Sequence, residues 1–171
     1  LITGASRGLG CALARSFARR GARAVLVARD ADALAIVCAE IRAEGGTAFA
    51  LPWDLTWPGA ASALAGAASA MAGPIDVLVN NAGVLGPVPL APLVDTSEQD
   101  FASALLVNAT VPFLLTKAVM GGMLVRGRGL VVNVSSDAAW EAYPGWGAYG
   151  AAKAALTQLT NQWLAARGQP A

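Results

Sequence analysis

The chain has 171 residues, 56% of them apolar, and its twelve basic and eleven acidic side chains leave a net charge of +1. That is enough apolar surface for one domain with a sizeable core, and the absence of a basic run excludes a nucleic-acid partner recognised by charge. With no histidine and only two isolated cysteines, Cys11 and Cys38, a His/Cys metal cluster is excluded too.

The first element is an apolar pair, Leu1-Ile2, which runs into Thr3-Gly4-Ala5-Ser6-Arg7-Gly8-Leu9-Gly10 and out through an amphipathic segment from Cys11 to Arg20. This reads as strand, glycine-rich turn and helix. Glycines let a backbone approach a ligand closely, and the helix start points unpaired N–H groups at the turn, so the pattern makes a seat for a pyrophosphate. Gly4-Ala5-Ser6-Arg7-Gly8 also fits the G-x-S-x-G nucleophile elbow of hydrolases. A serine nucleophile there needs a base, usually histidine, and the chain contains none.

Ala24 to Ala28 is a continuous apolar run, as expected of a strand covered on both faces. Arg29-Asp30 follows, then a helix from Ala31 to Glu44. Thr47 to Leu51 reads as the third strand and ends near Asp54-Leu55. An Ala-rich helix covers Pro58 to Ala72. Ile75 to Val79 is the fourth strand and leads into Asn80-Asn81-Ala82-Gly83. A proline-rich loop spans Val84 to Pro92, and a long helix Ser97 to Val125. Leu130 to Val134 is the fifth strand, followed by Ser135-Ser136, and a last helix runs from Tyr149 to Arg167. Cys11 and Cys38 fall on helices and read as small core residues. Strand and helix alternate throughout, which predicts an α/β fold: a doubly wound parallel sheet between two helix layers, in a single domain. Ligands of such sheets sit at the carboxyl ends of the strands, where the polar stretches cluster.

Mean hydropathy is +0.52, high enough to ask about membrane spans. Leu55 to Ile75 and Val77 to Val94 are uncharged, but alanines dominate the first and asparagines and prolines interrupt the second. The expectation is a soluble, cytoplasmic protein with no membrane partner.

Without histidine, proton transfer falls to Tyr, Lys, Ser, Asp or Glu. Tyr149 and Lys153 are four residues apart and share one helix face. A phenol titrates near ~10, and a neighbouring ammonium favours its ionised form, so such a pair could exchange a proton with a carbonyl or alcohol. A Tyr and a Lys at this spacing are equally at home on a helix with no chemistry at all. Ser136, at the end of the fifth strand, could hydrogen-bond a carbonyl oxygen or simply cap a turn, and Ser135 competes for the role. Asn108 lies four residues before Pro112, which has no N–H to give the Asn108 carbonyl. That carbonyl could hold a water, or the proline could be an ordinary kink.

Taken together, Thr3-Gly4-x-x-x-Gly8-x-Gly10, Asn80-Asn81-Ala82-Gly83, Asn108, Ser136 and Tyr149-x-x-x-Lys153 resemble the short-chain dehydrogenase/reductase family, in its order and spacing along the whole chain. The resemblance implies a Rossmann fold, a nicotinamide cofactor and a small carbonyl or alcohol substrate. It implies that Tyr149 is the proton donor, that Lys153 holds the nicotinamide ribose and favours the tyrosinate, and that Ser136 orients the substrate carbonyl. Asn108 would offer its backbone carbonyl to a water leading to Lys153. Gly4, Ser6, Arg7, Gly8, Leu9 and Gly10 would line the cofactor's phosphates. Asn81, Ala82 and Gly83 would flank it, and Asp54 and Leu55 would meet its adenine. Arg29 after the second strand, with Arg7, resembles the NADP-preferring pattern, while Asp30 keeps NAD possible. Asp30 is also a favoured N-cap, so it is expected to turn away and cap the helix from Ala31.

The resemblance further implies a homodimer or homotetramer built on the helices near 97–125 and 149–167. The chain starts inside the first strand and stops after the helix bearing Lys153, whereas family members continue through two more strands and a substrate loop. A domain truncated at both ends, or an inactive fragment, is therefore expected. Val84 to Pro92 and Tyr143 to Trp146 are the substrate-facing pieces that remain. Gly145-Trp146-Gly147-Ala148-Tyr149 is similar to sepiapterin-reductase-like members. The reading is an NADP-preferring carbonyl reductase or alcohol dehydrogenase; the alternative is a non-catalytic nucleotide-binding or scaffold protein on the same fold.

Overall fold

The computed structural model describes residues 1–86 and 88–166. Pro87, within the proline-rich loop, and Arg167, the expected end of the last helix, lie outside them. The described residues form two compact units: Leu1–Ala82 with Leu114–Val132, and Gly83–Phe113 with the residues from Asn133 onward.

The first unit holds the sheet. Its strands are β1 (Ile2–Thr3), β2 (Arg23–Ala28), β3 (Thr47–Pro52), β4 (Val77–Asn80) and β5 (Leu130–Asn133, whose last residue belongs to the second unit). They lie in the order β3-β2-β1-β4-β5. β1 pairs parallel with β2 and β4, and β2 with β3, with Ile2 opposite both Leu26 and Val79, and Arg23 to Ala28 opposite Thr47 to Pro52. Helices α1 (Gly8–Arg19), α2 (Ala31–Ala43) and α3 (Ala60–Ala72) connect and flank the strands, giving the parallel α/β sheet expected from the alternation and, with it, the Rossmann-type fold that the family resemblance implied. Leu26, Val27, Leu34, Ile41, Leu64, Leu78 and Leu115 are fully buried in this core. Helix α1 starts at Gly8, inside the glycine turn, rather than at Cys11, and β4 starts at Val77 rather than Ile75. Cys38 is buried as expected, but Cys11 is only half-buried.

The expected continuous helix from Ser97 to Val125 is broken. It runs as α4 (Glu98–Leu105), a π-helical stretch (Leu106–Thr110) and α5 (Val111–Val125). Ser97 caps α4 by accepting from the Asp100 N–H. The π stretch ends where Val111 N–H bonds back five residues to Leu106 O, just ahead of Pro112. Proline cannot feed the ordinary i→i−4 ladder, and the widened turn is the backbone's answer. The run Glu98–Val125 is long and apolar enough to cross a bilayer, but half of its most apolar window is buried inside the protein, as in a core helix.

The second unit is helical. Its α4 and the π stretch pack on α6 (Gly147–Ala166), which starts two residues before Tyr149. Ala104, Asn108, Ala152 and Leu156 are at most 2% exposed there.

Candidate active site

The first unit supplies a glycine turn at the point where the strand order reverses. Gly4 and Gly8 have φ values of +65° and +56°, in the left-handed region that side chains other than glycine's resist. A Cβ on Gly10 would overlap Gly4 O and the Asn81 side chain, so only glycine lets α1 approach that closely. A Cβ on Gly8 would meet nothing within 4 Å, which places open space directly over the turn. Gly8, Leu9 and Arg7 are exposed, Ser6 is half-buried, and the first turn of α1 has no side-chain cap on its N–H groups. An open, uncapped helix start beside a glycine turn fits a pyrophosphate.

Thr3 clamps this turn to the end of β4. Its hydroxyl accepts from the backbone N–H groups of Asn81 (3.0 Å) and Ala82 (3.1 Å) and donates to Val79 O (3.3 Å). Asn81 Nδ2 donates back to Thr3 O and Gly4 O at 3.0 and 3.1 Å. Thr3 was expected only as part of the glycine motif, and its clamp on Asn81 and Ala82 was not foreseen. A buried hydroxyl next to the glycine turn was the available signal.

At the ends of β2 and β3, Arg29 is exposed, and Asp30 Oδ1 accepts from Ala33 N–H at 2.9 Å, capping α2 as expected. Asp54 accepts from the N–H (2.9 Å) and hydroxyl (2.7 Å) of Thr56. These two bonds hold its carboxyl below the usual aspartate range, and the Arg29 charge lowers it further. Leu55 is half-buried. A hollow lined by Ile2, Ala24, Ala68 and Ile75 opens at the amino ends of the strands, opposite to the end where this fold holds ligands.

The second unit gathers the residues assigned to proton transfer. On α6, the Lys153 ammonium sits 5.5 Å from the centre of the Tyr149 ring. Lys153 is 3% exposed and donates to Val134 O at 2.7 Å. Burial lowers its pKa from the ordinary lysine value, because the interior penalises the charged form. Asn108, fully buried in the π stretch, donates through Nδ2 to Val84 O (2.7 Å) and Ala104 O (2.9 Å). A Cβ on Gly83 would press on Asn108 Oδ1 at 2.8 Å and stand 3.9 Å from Lys153 Nζ, so this glycine keeps the ground beside both groups clear.

The two serines after β5 separate cleanly. Ser135 Oγ is tied to Thr157 Oγ1 on α6 at 2.8 Å. Ser136 takes the turn instead: it accepts from Ala138 N–H (3.2 Å) and donates to Asp137 Oδ1 (3.0 Å). Of the two expectations for Ser136, the structure shows the cap: the half-buried residue closes a short turn over Asp137–Ala139. Asp137 was not foreseen. It accepts from Ser136 and, through Oδ2, from Tyr143 OH at 2.8 Å. Tyr143 packs on Trp146 (5.5 Å between centroids), whose ring meets Tyr149 edge-on at 5.4 Å.

The family described as short chain dehydrogenase matches residues 1–169. Gluconate 5-dehydrogenase of Gluconobacter oxydans is 39% identical over 94% of this chain and 62% of its own length. Among solved structures, a metagenomic short-chain oxidoreductase in complex with NADP superposes with a TM-score of 0.89 at 39% identity, over 95% of this chain and 72% of that one. An NAD+-bound xylitol dehydrogenase gives 0.87 at 34% identity, over 94% and 61%. The chain thus spans less than two thirds of the length of the curated relatives it matches. The glycine turn, the Asn81 clamp and the Tyr149–Lys153 helix face are accounted for together by one conclusion: this chain belongs to the short-chain dehydrogenase family.

Proposed function

We propose that the full-length protein is an NADP-preferring oxidoreductase that interconverts a carbonyl and an alcohol, with Tyr149 handling the proton. The observation that carries this reading is the buried Lys153 ammonium, fixed by Val134 O beside the Tyr149 ring. When bound, the nicotinamide cofactor supplies or accepts the hydride. Gly4, Ser6, Gly8, Leu9 and Gly10 would hold its pyrophosphate, with Asp54 and Leu55 for the adenine. Asn81, Ala82 and Gly83 would flank it, and Lys153 and Tyr149 would hold its ribose. Ser136 would turn its one hydroxyl proton, which Asp137 Oδ1 accepts in the free site, to the substrate oxygen, and the phenolic oxygen of Tyr149 gives or takes the proton there. Lys153 spends one of its three N–H donors on Val134 and keeps two for this work. Asn108 braces Val84, next to Gly83, and so shapes the ground beside Lys153.

The preference for NADP rests on Arg29 and Arg7, both exposed, and on Asp30 being engaged as a helix cap rather than offered to a ribose. Relatives bound to NADP and to NAD+ both exist, so the arginines and not the fold carry this choice. We also propose a homodimer or homotetramer.

The deciding experiment is Tyr149→Phe in the full-length protein. Turnover should fall by roughly 10²-fold or more, the size of a lost general acid–base group, while nucleotide affinity changes little. Retained turnover would show that the proton is handled elsewhere.

A further inference from the structure

We propose that Asp137 determines substrate specificity: its carboxylate receives a hydroxyl on the carbon next to the reacting carbonyl and turns away substrates that carry a carboxylate there. This rests on the function proposed above, in which Ser136 holds the carbonyl oxygen. Ser136 Oγ lies 3.0 Å from Asp137 Oδ1, so a substituent one bond from the carbonyl carbon comes within reach of that carboxylate. A carboxylate offers about four acceptor positions. Ser136 Oγ, Ala138 N–H and Tyr143 OH occupy three of them, and the side chain is otherwise exposed. No lysine or arginine among the described residues pairs with it, so its charge stands uncompensated beside the substrate-holding hydroxyl. Capping the short turn explains the bond to Ala138 N–H. It does not explain Tyr143, which reaches back six residues to the other carboxylate oxygen. Tyr143 is itself held through Trp146 against Tyr149. Asp137 is thereby fixed in one frame with both substrate-facing hydroxyls. Exposure to water screens its field, so it biases the choice of substrate without blocking the alternatives.

The test compares three small probes in the full-length protein with NADPH: hydroxyacetone, butanone and pyruvate. In the wild type, kcat/KM should follow the order hydroxyacetone, butanone, pyruvate. Asp137→Asn keeps the shape and the two bonds accepted at Oδ1, removes the charge, and puts an N–H donor where the Tyr143 hydroxyl is now accepted. It should reduce the hydroxyacetone-to-pyruvate ratio roughly five- to tenfold, the effect of one charge a few ångströms away in a wet site, chiefly through the KM for pyruvate. Tyr143→Phe, which frees the carboxylate to turn, should reduce the ratio by a smaller factor. Loss of structure alone lowers all three probes together and leaves the ratio where it was. A ratio unchanged within twofold in both variants overturns the proposal. The same ratio is read as relative affinity by ligand-observed NMR on the NADPH-loaded protein, and there it decides the matter even if no probe is turned over. Failure of the proposed reaction thus stays distinct from failure of the role of Asp137.

Discussion

Asn108 and Val84 hold each other from both sides. Asn108 Nδ2 donates to Val84 O at 2.7 Å, and Val84 N–H donates to Asn108 Oδ1 at 3.3 Å. The amide thus acts as a two-pronged splint on the backbone that leaves Gly83, and its second N–H closes on Ala104 O of α4. Asn108→Ala would strand these partners, at about 1–3 kcal/mol for a buried group left unsatisfied. Urea denaturation should show a loss of that size, and turnover should fall further than stability alone explains. Asn108→Asp should be no better, because it faces an oxygen toward two carbonyls.

Lys153 gives a pH signature. Its pKa is lowered in the folded protein by desolvation, so the unfolded chain binds more protons between that lowered value and the ordinary lysine pKa. Stability contributed at this site therefore rises with pH across that window, and the cost of holding the charge is fully present below it. Lys153→Met removes the titration. The stability of the variant relative to the wild type should be greatest near neutral pH and shrink toward pH ~10, measured by denaturation at several pH values. A gap that widened with pH would contradict the assignment.

The glycine turn predicts two different failures. Gly10→Ala forces a Cβ into Gly4 O and the Asn81 side chain, both held by hydrogen bonds, and should destabilise the fold. Gly8→Ala meets no atom, and its cost is the left-handed backbone, about 1–2 kcal/mol. Because its Cβ would enter the space over the turn, it should weaken nucleotide binding more than it weakens folding. Thermal melting with and without nucleotide separates the two effects.

Cofactor choice is tested at Arg29. A guanidinium–phosphate contact contributes about 1.5–3 kcal/mol when well formed, and ~1.4 kcal/mol is a factor of ten. The wild type should prefer NADP over NAD by roughly tenfold or more, and Arg29→Ala should erase most of that preference. If kcat/KM favours NAD, or the ratio survives the substitution, the arginine argument fails, and releasing Asp30 from its cap becomes the next variant to make.

Assembly is tested by light scattering on the full-length protein. Leu114 and Leu164 are 40% and 63% exposed on α5 and α6, while Phe113 and Trp163 already stack on each other at 6.1 Å. A dimer or tetramer is expected, and a monomer would contradict it. Leu164→Lys should shift the equilibrium toward monomer, whereas Trp163→Ala should mainly cost stability.

The sequence by itself determined the fold class, because alternating apolar strands and amphipathic helices at short spacing admit little besides a parallel α/β sheet. It also determined where chemistry could lie: glycines that tolerate a left-handed backbone, and a Tyr and Lys one helical turn apart, are local facts that spacing alone conveys. Asp30 was legible as a cap for the same reason, since its partner Ala33 is three residues away. The tertiary structure decided what depends on residues far apart in the chain. Thr3 gains its role from Asn81 and Ala82, which follow a strand seventy-eight positions later, and only strand order brings them together. Ser135 and Ser136 are chemically identical neighbours, and they were separated only when α6 supplied Thr157 to one and the turn supplied Asp137 to the other. Pro112 announced a disturbed helix, but whether it would kink or widen depended on the packing of the π stretch against α4 and α6, which no local pattern encodes.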